Sequence, residues 1–207
     1  MAILLPFHFP LSSKLIEQAV ACVQAGGVLA IPTDSFYALA VGVFQPSALE
    51  RLLRIKGGRE GSPIPVLVGD VFQVESLTKN IPDVAIKLMQ EFWPGLLTLV
   101  LGASPRLSPI LTGGKNTIGV RQPNDPRVCE LLKHTGPLTG TSANRTGQPP
   151  ARSGEEVMQQ IGSDIDLILD GGPTPGGQPS TVLQVAPETR ILREGAISFA
   201  KIKAVFA

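Results

Sequence analysis

Residues 26–40 run Gly-Gly-Val-Leu-Ala-Ile-Pro-Thr-Asp-Ser-Phe-Tyr-Ala-Leu-Ala. The apolar run from Val28 to Ile31, bounded by glycines and Pro32, reads as a short buried strand. It delivers Thr33, Asp34, Ser35 and Tyr37 as a cluster of polar tips at its C-terminal end. Ser47 then reads as the cap of a helix with Leu49, Leu52, Leu53 and Ile55 along one face. The helix runs out at Lys56, before Gly57-Gly58-Arg59, where glycine permits positive φ and close backbone approach. A strand end, a helix and a glycine-flanked cation pair suit a nucleotide or anion site.

Outward from this stretch, apolar runs and helical patterns alternate. Ser12 or Ser13 opens a helix through Ile16, Ala19, Val20 and Val23 that closes at Gly26-Gly27. Pro63 to Gly69 reads as a second buried strand entered through prolines. Val71 to Leu77 is ambiguous. Pro82 to Trp93 is helical, and Pro94-Gly95 stops it before a strand from Leu96 to Leu101. Thr117 to Arg121 is a brief strand, and Asn124-Asp125-Pro126 starts a helix through Val128, Leu131 and Leu132. Pro137 to Asn144 reads as one strand passing into a polar loop. A helix from Gly154 to Ile161 precedes a strand from Asp166 to Asp170. Ser180 to Val185 and Arg190 to Arg193 pair as a hairpin around Pro187-Glu188-Thr189. The order predicts one α/β domain over residues 1–207 with a mixed sheet.

At 207 residues and 43% hydrophobic, the chain is long enough for one sizeable core. Its formal net charge of +1 advertises no global affinity for nucleic acid, although a local basic patch remains compatible with it. Cys22 and Cys129 lack metal-ligand spacing, and His8 and His134 are the two histidines. Residues 1–10 have no basic n-region, and no run reaches the roughly 18 apolar residues of a membrane span. A soluble cytoplasmic protein is the expectation.

No Walker or Rossmann glycine pattern occurs, no metal-ligand cluster is evident, and two unsupported histidines make a Ser-His-Asp triad a poor fit. The polar inventory is instead Thr33, Lys56, Arg59, Arg121, Ser142, Asn144, Ser180 and Arg193. Most of these stand at the ends of apolar runs, where open α/β sheets bind ligands. Cations and hydroxyls without a base describe a site that positions anions and stabilises charge. Each residue also has a structural reading. Lys56 and Arg59 suit a helix C-terminus, Ser142 and Asn144 suit a turn, and Arg121, Ser180 and Arg193 suit strand ends. Trp93 reads as core and His134 as a helix-end cap.

Taken together, the motifs change this balance. Pro32-Thr-Asp-Ser-Phe-Tyr-Ala-Leu39 resembles the signature of the YrdC-like family, the threonylcarbamoyl-AMP synthases also called TsaC. Ile55-Lys56, Pro94-Gly-Leu-Leu-Thr-Leu99, Thr117-Ile-Gly-Val-Arg-Gln-Pro123, Thr141-Ser-Ala-Asn-Arg-Thr-Gly147, Asp170-Gly-Gly172, Ser180-Thr-Val182 and Leu192-Arg-Glu-Gly-Ala196 follow in the family's order. The likeness covers roughly residues 12 to 198. It implies a twisted mixed sheet flanked by helices, with a concave basic groove. It also implies an enzyme that condenses L-threonine, bicarbonate or CO2, and ATP to threonylcarbamoyl-AMP and pyrophosphate. That adenylate feeds the threonylcarbamoyladenosine modification of tRNA, completed by partner proteins.

The resemblance assigns Thr33, Arg121, Gly140 and Ser180 to threonine. It assigns Lys56, Arg59, Thr117, Ser142, Asn144, Pro150 and Arg193 to ATP, with Lys56 and Arg59 as the catalytic cations and Mg2+ carried on the triphosphate. Two departures stand out. The family's Lys-x-Arg is here Lys56-Gly57-Gly58-Arg59, and its Tyr-Gly-Leu-Gly is Tyr37-Ala38-Leu39-Ala40. The chain also ends at Ala207 without the extra C-terminal domain of longer relatives. Two alternatives stay open: a non-catalytic paralogue gripping double-stranded RNA or tRNA, and a carbamoyl-adenylate enzyme acting on another amine.

Overall fold

The computed structural model describes residues 1–58, 61–185 and 188–205. Strand β1 (Ile3–Pro6) leads into helix α1 (Ser13–Gln24), whose first turn is capped by the Ser12 hydroxyl accepting from Leu15 N at 3.3 Å. Leu15, Ala19 and Val23 repeat at a spacing of four and form its buried stripe. The polar-tipped strand of the sequence is β2 (Leu29–Ile31), followed by β3 (Ala38–Ala40) running back antiparallel to it.

Helix α2 (Pro46–Ile55) begins two residues earlier than expected, and this corrects the role given to Ser47. Pro46 occupies the first helical position, where its fixed φ and missing N–H cost nothing. Ser47 therefore lies inside the helix, and Gln45 is the cap residue without a side-chain bond.

Strand β4 (Val66–Leu67) and a 3-10 turn (Val71–Ser76) precede helix α3 (Asp83–Phe92) and strand β5 (Leu97–Gly102). A single helical turn, α4 (Pro109–Thr112), opens onto β6 (Thr117–Arg121), and α5 (Pro126–Thr135) starts where the Asp125 carboxylate accepts from Arg127 N at 2.9 Å. The stretch expected as one strand divides into β7 (Leu138–Thr139) and β8 (Thr141–Ser142), with Gly140 between them. Helix α6 (Gly154–Ile161), β9 (Leu167–Asp170), the antiparallel pair β10 (Thr181–Gln184) and β11 (Arg190–Arg193), and α7 (Phe199–Ala204) complete the order. Pro187, placed at the hairpin turn, lies outside the described residues.

The strands divide between two mixed sheets. One has five strands in the order β1-β9-β2-β3-β8, the other six in the order β11-β10-β5-β6-β4-β7. The physical reason is the break at Gly140: β7 pairs antiparallel with β4 in one sheet, and β8 pairs antiparallel with β3 in the other. Thr139 stitches the two, because its hydroxyl donates to Leu39 O at 3.1 Å and accepts from Val41 N at 3.0 Å.

The period-two alternation of strands decides which residues share a core. Ala30, Leu39 and Ile168 of the five-stranded sheet pack with Leu97, Leu99, Leu101, Val120 and Leu183 of the six-stranded one. The alternate residues, Leu29, Ile31, Ala38, Ala40, Leu167 and Leu169, face α1 and α5 through Leu15, Ala19, Leu131 and Leu132. Among the described residues, no helix is long and apolar enough to cross a membrane.

Candidate active site

A cavity of about 580 Å³ opens over the face of the six-stranded sheet that the shared core leaves uncovered. Its floor follows the two-residue period: Thr117, Gly119 and Arg121 from β6, Thr98 and Val100 from β5, Val182 and Gln184 from β10. The segment from Thr33 to Ala38 and residues Gly140 to Ser142 close it from the five-stranded side.

The Thr33 hydroxyl is held by its own turn. It donates to Phe36 O at 2.7 Å and accepts from Ser35 N at 3.2 Å. Asp34 points away to form an ion pair with Arg121. Arg121 is 7% exposed, and its Nε donates to Gly95 O at 2.8 Å, so one edge of the guanidinium is fixed by a carbonyl and a carboxylate. Burial lowers the pKa of Arg121, Asp34 opposes this, and the nearby Arg193 charge adds to the lowering.

Arg193 contacts no carboxylate among the described residues. Its Nη2 donates to Ser180 O at 2.9 Å and to Ser180 Oγ at 3.2 Å, and burial lowers its pKa. Ser180 Oγ is in turn 2.9 Å from Thr98 Oγ1. Two guanidiniums that feel each other thus have one carboxylate between them, bound by Arg121 alone, and the hydroxyls of Thr33, Ser180 and Thr98 line the same cavity. Arg121 is buried and paired with Asp34, whereas Arg193 is exposed at the cavity and has no carboxylate partner among the described residues, so a cation there is open to an anion.

Seven of the residues singled out in the sequence meet at this cavity: Thr33, Thr117, Arg121, Gly140, Ser142, Ser180 and Arg193. Gly140 is there because nothing larger fits. A Cβ at this position would lie 2.6 Å from Leu67 Cγ, while Gly140 N donates to Pro65 O at 2.8 Å. Lys56 and Asn144 stand one layer behind the wall. Lys56 Nζ donates to Ser142 O at 2.8 Å and to Asn144 O and Oδ1 at 2.9 Å. Asn144 is 6% exposed and spends its amide on Gln148 O and Arg145 O, at 2.6 and 3.0 Å. Both therefore shape the turn that carries Ser142. Pro150 is half-buried and does not line the cavity, and Arg59 lies outside the described residues.

Sequence reasoning passed over Thr98, Lys115, Gly119 and Arg190 and gave Tyr37 no role beyond a polar tip, and all five line the cavity. A signal for two of them was present, since Lys115 and Gly119 alternate with Thr117 and Arg121 along one strand face. Tyr37 is fully buried, and its hydroxyl lies 3.0 Å from Asp170 Oδ1 and 2.9 Å from Gly172 O while accepting from Gly171 N at 3.1 Å. The Asp170-Gly-Gly stretch is thereby explained as the clasp that seats this ring. Burial first, and the Asp170 charge second, push the Tyr37 pKa up, so the phenol stays protonated. Trp93 is core, with Nε1 donating to Leu97 O at 2.7 Å, and His134 lies near the end of α5 beside Glu130 at 3.3 Å.

Comparison with known proteins agrees with this fold. The Sua5/YciO/YrdC family model, described as telomere recombination, matches residues 21–195. A Bacillus subtilis protein named threonylcarbamoyl-AMP synthase is 37% identical over 92% of the chain, which spans 56% of that relative's length. The structure of Pyrococcus abyssi Sua5 complexed with L-threonine superposes with a TM-score of 0.92 at 30% identity, covering 99% of this chain and 61% of that one. Escherichia coli YciO superposes with a TM-score of 0.86 at 30% identity, over 98% of this chain and 100% of its own. The chain thus spans little more than half of the two longer relatives and the whole of the shorter one. On these grounds the chain belongs to the Sua5/YciO/YrdC family.

Proposed function

We propose that this chain is an L-threonylcarbamoyladenylate synthase, which condenses L-threonine, bicarbonate or CO2, and ATP and releases pyrophosphate. The observation that carries the reading is one cavity lined by two nearby guanidiniums, Arg121 held by Asp34 and Arg193 held, among the described residues, only by Ser180, together with the hydroxyls of Thr33, Ser180 and Thr98. Such a site suits a small amino acid with its own carboxylate beside a polyphosphate. The names of the relatives and the threonine-bound Pyrococcus structure support it.

In this reading Arg121 takes the threonine carboxylate on the guanidinium edge left open by Gly95 and Asp34, and the hydroxyls of Thr33 and Ser180 with the Gly140 backbone orient the rest. The threonine nitrogen attacks the carbon of bicarbonate, a carbamate forms and water leaves. A carbamate oxygen then attacks the α-phosphorus of ATP. The new O–P bond forms as the bond to the β-phosphate oxygen breaks, and its electron pair departs with pyrophosphate. Transfer of this kind needs in-line positioning and charge neutralisation more than a protein nucleophile. The lining supplies arginines, a lysine and hydroxyls for that task. Thr117, Ser142 and Arg193 would face the phosphates, and Lys56 and Asn144 would fix the Ser142 turn from behind. Pro150 belongs to the segment that follows this turn, and Arg59 is assigned to the phosphates by the resemblance alone.

Magnesium belongs here to the substrate. Among the described residues no group of three or more His, Cys, Asp or Glu could hold a metal ion, and the cavity's nearest carboxylate, Asp34, is engaged by Arg121. The donor set fits an ion that arrives on ATP with phosphate and water ligands. The adenylate would pass its threonylcarbamoyl group to tRNA through partner proteins in the cytoplasm. Incorporation of radiolabelled bicarbonate by purified protein with ATP and threonine tests the reading. Threonine-dependent labelling with stoichiometric pyrophosphate release is the expected result. Labelling that ignores threonine would move the enzyme to another amine, and RNA binding without any turnover would replace the enzyme by a binding protein.

A further inference from the structure

Four cationic residues line the cavity among those described: Lys115, Arg121, Arg190 and Arg193. Three already have acceptors. Arg121 holds Asp34 and Gly95 O, Arg193 holds Ser180, and Arg190 Nε lies 3.4 Å from Gln184 Oε1. The Lys115 ammonium makes no ion pair and no hydrogen bond among the described residues, and the residue is exposed at the cavity mouth.

Its place along the sheet is fixed on both sides. Lys115, Thr117, Gly119 and Arg121 all line the cavity, so they occupy one face of the same strand and its lead-in. At ~3.3 Å per residue of extended chain, Lys115 and Arg121 stand at most ~20 Å apart at their Cα atoms, with a hydroxyl and a bare glycine between them. Ahead of Lys115, Gly113 and Gly114 both adopt positive φ, of 62° and 72°. A Cβ at Gly113 would lie 2.7 Å from Gly61 O and from Pro63 N, so the turn that launches Lys115 is seated against residues 61–63. Lys115 is thus anchored at its backbone and uncommitted at its tip.

We infer that Lys115 binds the β- and γ-phosphates of ATP, the pair that leaves as pyrophosphate. The inference rests on the synthase reading above. With the amino-acid carboxylate at Arg121, the carbamate and α-phosphate sit over Thr117 and Gly119, and the distal phosphates extend toward the strand's beginning. Gly119 leaves the floor low enough for that chain of atoms, because its place is bordered by Thr98 Cγ2 and Val100 Cγ2 alone. A lysine side chain folded back over the Thr117–Arg121 strand reaches the distal phosphates as a mobile point charge. When the α-phosphorus bond to the bridging oxygen breaks, the electron pair stays on pyrophosphate, and the Lys115 ammonium neutralises the charge that develops there.

The experiment compares the full chain with its Lys115→Ala and Lys115→Arg variants in two assays. Calorimetry with magnesium pyrophosphate reads the distal-phosphate site without turnover. Steady-state kinetics read KM for ATP and for threonine separately. Lys115→Ala should weaken pyrophosphate binding at least tenfold and raise KM for ATP comparably, while KM for threonine changes less than twofold and Lys115→Arg recovers most of the loss. Pyrophosphate affinity unchanged in Lys115→Ala, or equal losses in both KM values, overturns the assignment. Pyrophosphate that fails to bind the unmodified chain overturns it as well. If the chain binds pyrophosphate through Lys115 but forms no adenylate, the synthase reading fails and the phosphate site stands.

Discussion

Arg121 and Asp34 form a buried ion pair, with side chains 8% and 12% exposed, on the wall between two cavities. Breaking such a pair from one side leaves an uncompensated charge, at a cost of about 3–5 kcal/mol. Asp34→Ala should therefore destabilise the fold by that order in denaturant melts. Asp34→Asn, which keeps an acceptor for Arg121, should lose less. The double replacement Asp34→Leu with Arg121→Met should recover stability relative to Asp34→Ala while losing threonine-dependent turnover. Equal melts for all three variants would deny the pair its structural weight.

Lys56 meets three protein oxygens at 2.8 to 2.9 Å, all on the Ser142–Asn144 turn. Lys56→Met keeps the stem and removes the donors, so the carbonyls lose their partners. The expected cost is about 2 kcal/mol of stability, together with a fall in turnover of more than tenfold as Ser142 drifts. A variant that kept full activity would show that the turn holds itself.

Gly140→Ala would drive a methyl carbon to 2.6 Å from Leu67 Cγ and 2.9 Å from Leu67 Cδ2. Overpacking of this kind costs about 1–3 kcal/mol. The neighbour is a side chain, so Leu67→Ala in the same molecule should relieve most of it. The pair should then be clearly non-additive in thermal melts.

The Cys22 thiol is pushed up to about 11, first by burial and then by the Asp166 carboxylate, with Arg51 opposing. The folded pKa lies above the unfolded value, so the group's contribution to stability is complete below pH 9 and is lost as pH rises toward 11. At pH 8 its thiolate fraction is about 100-fold below that of an unperturbed cysteine, and alkylation should be slow in proportion. Asp166→Asn should speed it. Rapid labelling of Cys22 in the folded chain at pH 8 would contradict the environment described.

Much of this molecule was legible locally. Ser12, Asp125 and the glycine stops mark helix ends through chemistry that acts within a turn, and they stand there in the fold. Thr117–Arg121 reads as a strand because its alternation is intact. What escaped depends on distant partners. Ser47 looked like a cap until Pro46 took the first helical position. The segment from Leu138 to Ser142 carries no sign that it serves two sheets, because pairing with β4 or β3 is decided by residues far along the chain. Lys56 reads from sequence as a candidate cation, but the partners the structure gives it lie 86 and 88 residues away, and nothing local announces them. The family motifs bridged part of this gap, since residues that converge in space recur together in order.

The joint at Gly140 has a wider consequence. Arg121 and Ser180 lie with one sheet, while Thr33 and Ser142 lie with the other, so the spacing across the cavity is set by how the two sheets pack. Thr139, bonded to both sides, holds the two together. Repacking the leucines and valines of that shared interior should therefore change the distance between the two groups of lining residues without altering any of them.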